Sequence, residues 1–200
     1  MNKFEIITII SAFFSGMTFL LVLFLLKKRA ENTGRQKMDS DADIQQYETQ
    51  VYRYWHMDHL LNVEIERAER YEFKFTLLAV DFRKLLDHGD EQNIRNVMYS
   101  IFKRSIRILD FIVLSRKKGQ VYLILSETNE DETKIVIDRI RKNIGESIFG
   151  RVRDKVRFAY VCYPADATSK DLIEEYIFSA LSKADDSCPV ISYSESLRRQ

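Results

Sequence analysis

Two hundred residues, 46% hydrophobic and with a formal net charge of +1, provide for one globular domain of about 140 residues plus an attachment. The near-neutral balance gives no reason to expect nucleic acid as a partner. Cys162 and Cys188 are the two cysteines, too few for a disulfide framework and consistent with a reducing compartment.

Residues 6–26 contain no charged side chain and are rich in Ile, Phe and Leu. At 1.5 Å per residue they span roughly 31 Å, the hydrocarbon thickness of a bilayer, so a transmembrane helix is expected. A cleaved signal peptide has a shorter apolar core and a small-residue cleavage site. Here Lys27, Lys28 and Arg29 follow directly, and that cluster places the C-terminal side in the cytoplasm. The expected location is therefore an inner (cytoplasmic) membrane, crossed once. Residues 1–29 form the anchor with its basic stop, and residues 30–43, with Asn32, Gly34, Asp39, Ser40 and Asp41, a polar linker.

From residue 44 to about 71, Ile44, Tyr47, Val51, Tyr54, Met57 or Asp58, Leu61, Ile65 and Ala68 recur at spacings of three and four, which predicts one long amphipathic helix able to pair two copies of the chain. Its second half, after Leu60, is expected to pack on the domain's own sheet. A buried strand follows at residues 75–80, then a helix over about 91–109. Two apolar runs, 111–114 and 121–125, flank the polar turn Lys117-Lys118-Gly119 and predict a hairpin. A helix over 131–144 with Gly145 as its C-cap, a strand over 156–162 and a helix over 169–184 capped by Ser169 complete the pattern. The order implies an α/β sandwich, helices against a mixed central sheet, over residues 44–187, with 188–200 as a C-terminal tail.

Several of these residues together resemble the GGDEF domain, the diguanylate cyclase module of bacteria. Arg67-Ala68-Glu69-Arg70-Tyr71, the strand 75–80 and Asp81 are similar to the family's helix end, first core strand and metal-binding aspartate. Tyr163-Pro164-Ala165-Asp166, then Leu172-Ile173 and Ala180-Leu181, are similar to its last strand and closing helix. The signature turn Gly-Gly-Asp/Glu-Glu-Phe corresponds to Lys117-Lys118-Gly119-Gln120-Val121.

The resemblance implies a fold and places the catalytic parts in doubt. A cyclase needs carboxylates to hold divalent metals against a triphosphate and a glycine turn that lets phosphates approach the backbone. Gln120 stands where the motif has its glutamate, and a neutral amide neither neutralises a metal nor accepts a proton as a base. Lys117 and Lys118 replace the paired glycines. Residues 83–90 are too few for the family's guanine-reading loop. The Asp-x-Leu-Thr-Gly-Leu-x-Asn-Arg turn has no match where a helical pattern runs through residues 50–62. Asp185 stands where the closing helix carries its phosphate-binding lysine. No catalytic residue, metal or cofactor is therefore expected.

Arg107 and Asp110 survive. In the family an Arg-x-x-Asp before the signature binds cyclic di-GMP, with a further basic residue on the next helix, for which Arg141 aligns better than Arg139. A guanidinium can donate to guanine O6 and N7, and a carboxylate can accept from N1 and N2. The structural alternative is that Asp110 is a helix-to-strand junction residue. Two functions follow, a membrane-anchored cyclic di-GMP receptor governing an output such as exopolysaccharide, motility or cell-surface control, and a ligand-free scaffold that dimerises or recruits a partner protein. His56-Met57-Asp58-His59 and His88 with its flanking acids read as surface features, and Cys162 as a small core residue.

Overall fold

Phe75–Asp81 is buried along its whole length, and the rest of the domain is arranged around it. The computed structural model describes residues 51–87 and 89–198. In chain order these form β1 (Val51–Tyr52), a 3-10 turn (Tyr54–His56), α1 (Met57–Tyr71), β2 (Phe75–Asp81), α2 (Arg83–Leu86), α3 (Glu91–Ser105) and β3 (Phe111–Leu114). There follow β4 (Gln120–Leu125), α4 (Glu130–Gly145), a second 3-10 stretch (Gly150–Lys155), β5 (Arg157–Tyr163), α5 (Lys170–Lys183), β6 (Val190–Ser192) and α6 (Tyr193–Leu197). A six-stranded sheet has the order β1-β3-β4-β2-β5-β6. Central β2 pairs antiparallel with β4 and β5, and β3 with β4, while edge strands β1 and β6 run parallel to β3 and β5.

Side chains alternate across a strand, so β2 feeds two cores. Phe75, Leu77 and Ala79 meet Met57, Leu60, Leu61 and Ala68 of α1 and Ile173, Ile177 and Ala180 of α5. Leu78 and Val80 meet Ile94, Met98, Ile101 and Phe102 of α3 and Ile137, Ile140 and Ile144 of α4. The result is the expected α/β sandwich, a mixed sheet with helices on both faces. Side-chain caps start α3, α4 and α5. The Asp90 carboxylate accepts from Asn93 N, 2.8 Å, Asn129 and Glu132 form a reciprocal capping box, and Ser169 Oγ accepts from Leu172 N. Each cap satisfies amides that a helix end leaves without partners.

Several boundaries differ from the sequence reading. The long helix over 44–71 begins at Met57, because Val51 and Tyr52 pair with Ile112 and Val113 as an edge strand and residues 54–56 make a 3-10 turn. Backbone pairing on the sheet overrides a three-and-four apolar spacing. Residues 51–62 are therefore not one continuous helix. Helix α3 stops at Ser105, since Ile106 is extended, which puts Arg107 in a turn. Gly145 is the last residue of α4 rather than its cap, a place taken by Glu146 in ordinary right-handed geometry. The stretch beyond residue 187 is no tail, because Val190 and Ile191 extend the sheet beside Phe158 and Ala159 and α6 follows.

Residues 6–26, the linker 30–43 and the helix start at residues 44–50 lie outside the described residues, as does His88. Among the described residues no helix is long and apolar enough to cross a membrane.

Leu78 is fully buried at the centre of the sheet. Leu78→Ala is expected to lower the unfolding free energy by roughly 2–5 kcal/mol through lost transfer energy and a cavity. Urea denaturation checks this as a lower midpoint with an unchanged slope.

Candidate functional site

The strand register brings three ends together. Asp81 closes β2, with Gln120 opposite it at the start of β4 and Arg157 opposite it at the start of β5. Arg83 follows two residues on, at the head of α2. The Asp81 carboxylate is buried, with 1% of its surface exposed, and it is saturated. Arg83 donates its backbone amide to Oδ1 at 3.0 Å and its guanidinium to both oxygens, Nε to Oδ1 at 3.0 Å and Nη2 to Oδ2 at 2.6 Å. Arg157 Nη2 reaches Oδ2 at 2.9 Å, and Gln120 Nε2 reaches the same oxygen at 3.2 Å.

Burial pushes the Asp81 carboxyl up, but the hydrogen bonds from the side chain and backbone of Arg83 and from Gln120 outweigh it and hold the group below the ordinary carboxylate range. The Arg83 guanidinium is raised in return by its bond to Asp81. Arg157 also donates Nη1 to the Ala184 carbonyl at 3.1 Å, tying the strand ends to the close of α5. Beside it Lys84 pairs with Asp186 at 2.6 Å.

The hairpin turn packs against this cluster through its backbone. Gly119 has φ +73, and a Cβ there would sit 2.9 Å from the Cα of Arg83, so the position requires glycine. Its carbonyl accepts from Phe82 N at 2.8 Å. Lys117 and Lys118 point to solvent, Lys118 reaching Glu91 at 3.3 Å, and Val121 is buried in the α3/α4 core. Arg83 and Arg157 were missed by sequence reasoning. Arg83 could have been suspected two residues from an acid, whereas Arg157 becomes visible only through the register of β5 on β2.

The second region is the turn between α3 and β3. Asp110 is buried, 2% exposed, and its carboxylate closes the turn, Oδ2 accepting from Arg107 N at 2.6 Å and Oδ1 from Ser126 N at 3.1 Å. Ser126 Oγ donates to the Leu109 carbonyl at 3.1 Å. Burial raises the Asp110 carboxyl above its ordinary range against those two backbone bonds and the Arg107 charge, with buried Glu64 adding to the rise. Arg107 is exposed. On α4 it is Arg139 that reaches this turn, donating Nη1 to the Ser105 carbonyl at 2.9 Å, beside Asn143, which donates to Ser105 Oγ. Arg141 lies on another side of the helix, bonded to Asp154 at 3.2 Å. Two residues along a helix turn a side chain through about 200°, which gives Arg139 and Arg141 different neighbours.

No family model matches the sequence, and no curated protein does. Solved structures do match. The GGDEF domain of YfiN (TpbB) from Pseudomonas aeruginosa superposes with a TM-score of 0.59 at 13% identity, covering 71% of this chain and 88% of that one. The fold is that of a GGDEF domain. The GGDEF domain of DgcB from Caulobacter crescentus, solved in complex with c-di-GMP, gives a TM-score of 0.55 at 14% identity over 72% of this chain and 92% of its own. A diguanylate cyclase protein from Thermotoga maritima gives 0.53 at 18% identity over 66% and 97%.

The GGDEF-like fold brings with it the question of a divalent metal at Asp81, and the residues here do not fit one. A cation at this carboxylate would have to displace two guanidiniums and meet an amide at Gln120 where a second carboxylate is needed. Among the described residues no group of three or more His, Cys, Asp or Glu converges on a metal-sized site. The His56/His59 pair forms no such group, and Cys162, buried against Thr76 with its thiol pushed up to about 11 by burial, is a core residue.

Two outcomes follow. A carboxylate whose folded pKa lies below its unfolded value contributes stability that is full above the unfolded pKa, about 3.9, and is lost as pH falls through the lower folded one. Thermal unfolding from pH 6 to pH 2 is thus expected to show an acid loss that Asp81→Asn reduces, while at neutral pH the same substitution destabilises by roughly 3–5 kcal/mol by leaving two arginines facing a neutral group. Gly119→Ala is expected to cost about 1–2 kcal/mol for the left-handed backbone alone, with more from the contact with Arg83, measured by the same unfolding scans.

Proposed function

We propose that this is a non-catalytic GGDEF-fold signalling module, anchored in a bacterial inner membrane by residues 6–26 with its folded domain in the cytoplasm, that acts by binding a protein partner rather than by turning over nucleotide. The observation that supports this reading is the saturation of Asp81. Joining two GTP molecules by attack of a 3′-hydroxyl on an α-phosphate calls for metal-held phosphates beside this carboxylate. Here Arg83 and Arg157 supply the positive charge from within the chain, with Gln120 as a donor. The corner has become a structural ion cluster. The polar surface of the hairpin turn, with Arg116, Lys117 and Lys118 exposed, offers cationic side chains where a cyclase keeps a bare backbone.

A second reading, a cyclic di-GMP receptor, is favoured by one observation. Arg107 is exposed in the turn that resembles the family's product-binding Arg-x-x-Asp, and the DgcB domain was solved with c-di-GMP. A ligand at this turn would rest chiefly on Arg107 and Arg139, since the Asp110 carboxylate is buried and already accepts from two backbone amides.

Incubation of the full chain with GTP and Mg²⁺ is expected to give no cyclic dinucleotide. Product that disappears in Asp81→Asn would show the cluster to be a working site and end the non-catalytic reading. Calorimetry with cyclic di-GMP at high micromolar concentration is expected to give no saturable heat. Heat that is abolished by Arg107→Ala and weakened by Arg139→Ala, but not by Arg141→Ala, would establish the receptor in place of the partner-binding module.

A further inference from the structure

The turn between α3 and β3 presents apolar side chains outward on a rigid mount. Ile108 is 86% exposed and Leu109 55%, the more notable because the turn is fixed at both ends. Asp110 holds the Arg107 amide and the Ser126 amide, and Ser126 holds the Leu109 carbonyl. The two aliphatic side chains therefore have no route into the core. Ile135, 59% exposed, lies one turn before Arg139 on α4, and Arg139 reaches Ser105 at the base of the same turn.

The surroundings carry an excess of cations, with Glu127, exposed beside Ser126, as the acid next to the turn. Between Glu91 and Asp110 the chain has no acid, and Lys103, Arg104 and Arg107 flank the apolar pair, with Arg139 beside them. The acids of the first turn of α4, Glu130 and Asp131, are paired with Lys134. Large aliphatics ringed by lysine and arginine complement a layer that is apolar inside and anionic at its face, the chemistry of an anionic lipid leaflet. A turn already held in its presenting conformation loses little freedom on contact.

We propose that the turn from Arg107 to Asp110 is a membrane-docking tip that seats Ile108 and Leu109 in an anionic lipid leaflet, with Lys103, Arg104, Arg107 and Arg139 at the headgroups. This rests on the membrane-anchored reading above. Residues 27–50 are the 24 positions between the apolar segment and β1, at most about 80 Å when fully extended. Such a tether keeps the tip near the bilayer at high local concentration. Docking fixes the orientation of the domain at the bilayer.

The test uses the full chain in nanodiscs. Trp55 is the single tryptophan, so Trp55→Phe combined with Ile108→Trp places the one indole at the tip. In phosphatidylglycerol discs carrying brominated acyl chains its emission is expected to be strongly quenched, and in brominated phosphatidylcholine discs to stay near the unquenched level. Adding Arg104→Glu and Arg107→Glu is expected to abolish the quenching in phosphatidylglycerol. Equal quenching in both lipids, or quenching that survives charge reversal, overturns the proposal. An indole shielded from aqueous acrylamide yet unquenched by bromine overturns it in favour of a protein surface, a second copy included. Alkaline carbonate extraction separates the two readings. A chain that stays in the membrane with an unquenched indole defeats the docking alone. A chain that is released defeats the anchor, and the docking is then decided by adding the chain to brominated phosphatidylglycerol vesicles, where absence of quenching overturns it.

Discussion

A buried carboxylate at the centre of a sheet end must be compensated, and the way Asp81 is compensated ties the surrounding elements together. Removing a charge from water is costly unless partners replace the lost solvation. Asp81 finds them in two guanidiniums, one amide and one backbone N–H. The same contacts join β2 to β4, β5 and α2, and through Ala184 to the end of α5. Gly119 brings the hairpin backbone against Arg83 and Phe82. The corner is held by internal cations.

The turn at Arg107 follows the same logic with another outcome. Asp110 also sits in a low-dielectric place, but its partners are backbone amides rather than cations. Its carboxyl is raised where that of Asp81 is lowered, because neutral donors compensate burial less completely than guanidiniums do. The carboxylate shapes the chain, and the turn exposes Arg107, Ile108 and Leu109. An Arg-x-x-Asp spacing thus reads as a recognition pair in sequence and as one half exposed, one half structural in three dimensions.

Legibility followed the range of the interactions concerned. The hairpin around Lys117-Lys118-Gly119, the buried strand 75–80 and the cap at Ser169 depend on neighbours a few positions away, and each was visible in the chain. The start of α1 was not, because Val51 and Tyr52 become a strand by pairing with β3, about sixty positions on. Nor was β6, a three-residue strand whose pairing with β5 decides its state. Which of Arg139 and Arg141 meets Ser105 depends on helical phase against a residue more than thirty positions away.

By itself the sequence determined the α/β order of elements, the central apolar strand ending in Asp81, the substituted signature turn and an apolar segment long enough to span a bilayer. All of these are local patterns of hydrophobicity, charge and turn chemistry. Only the tertiary structure decided that Asp81 is neutralised by Arg83 and Arg157, that Asp110 faces inward, and that Ile108 and Leu109 face out. Those outcomes depend on strand register and on which polar groups meet when water is excluded, and neither quantity is written in any single stretch of the chain.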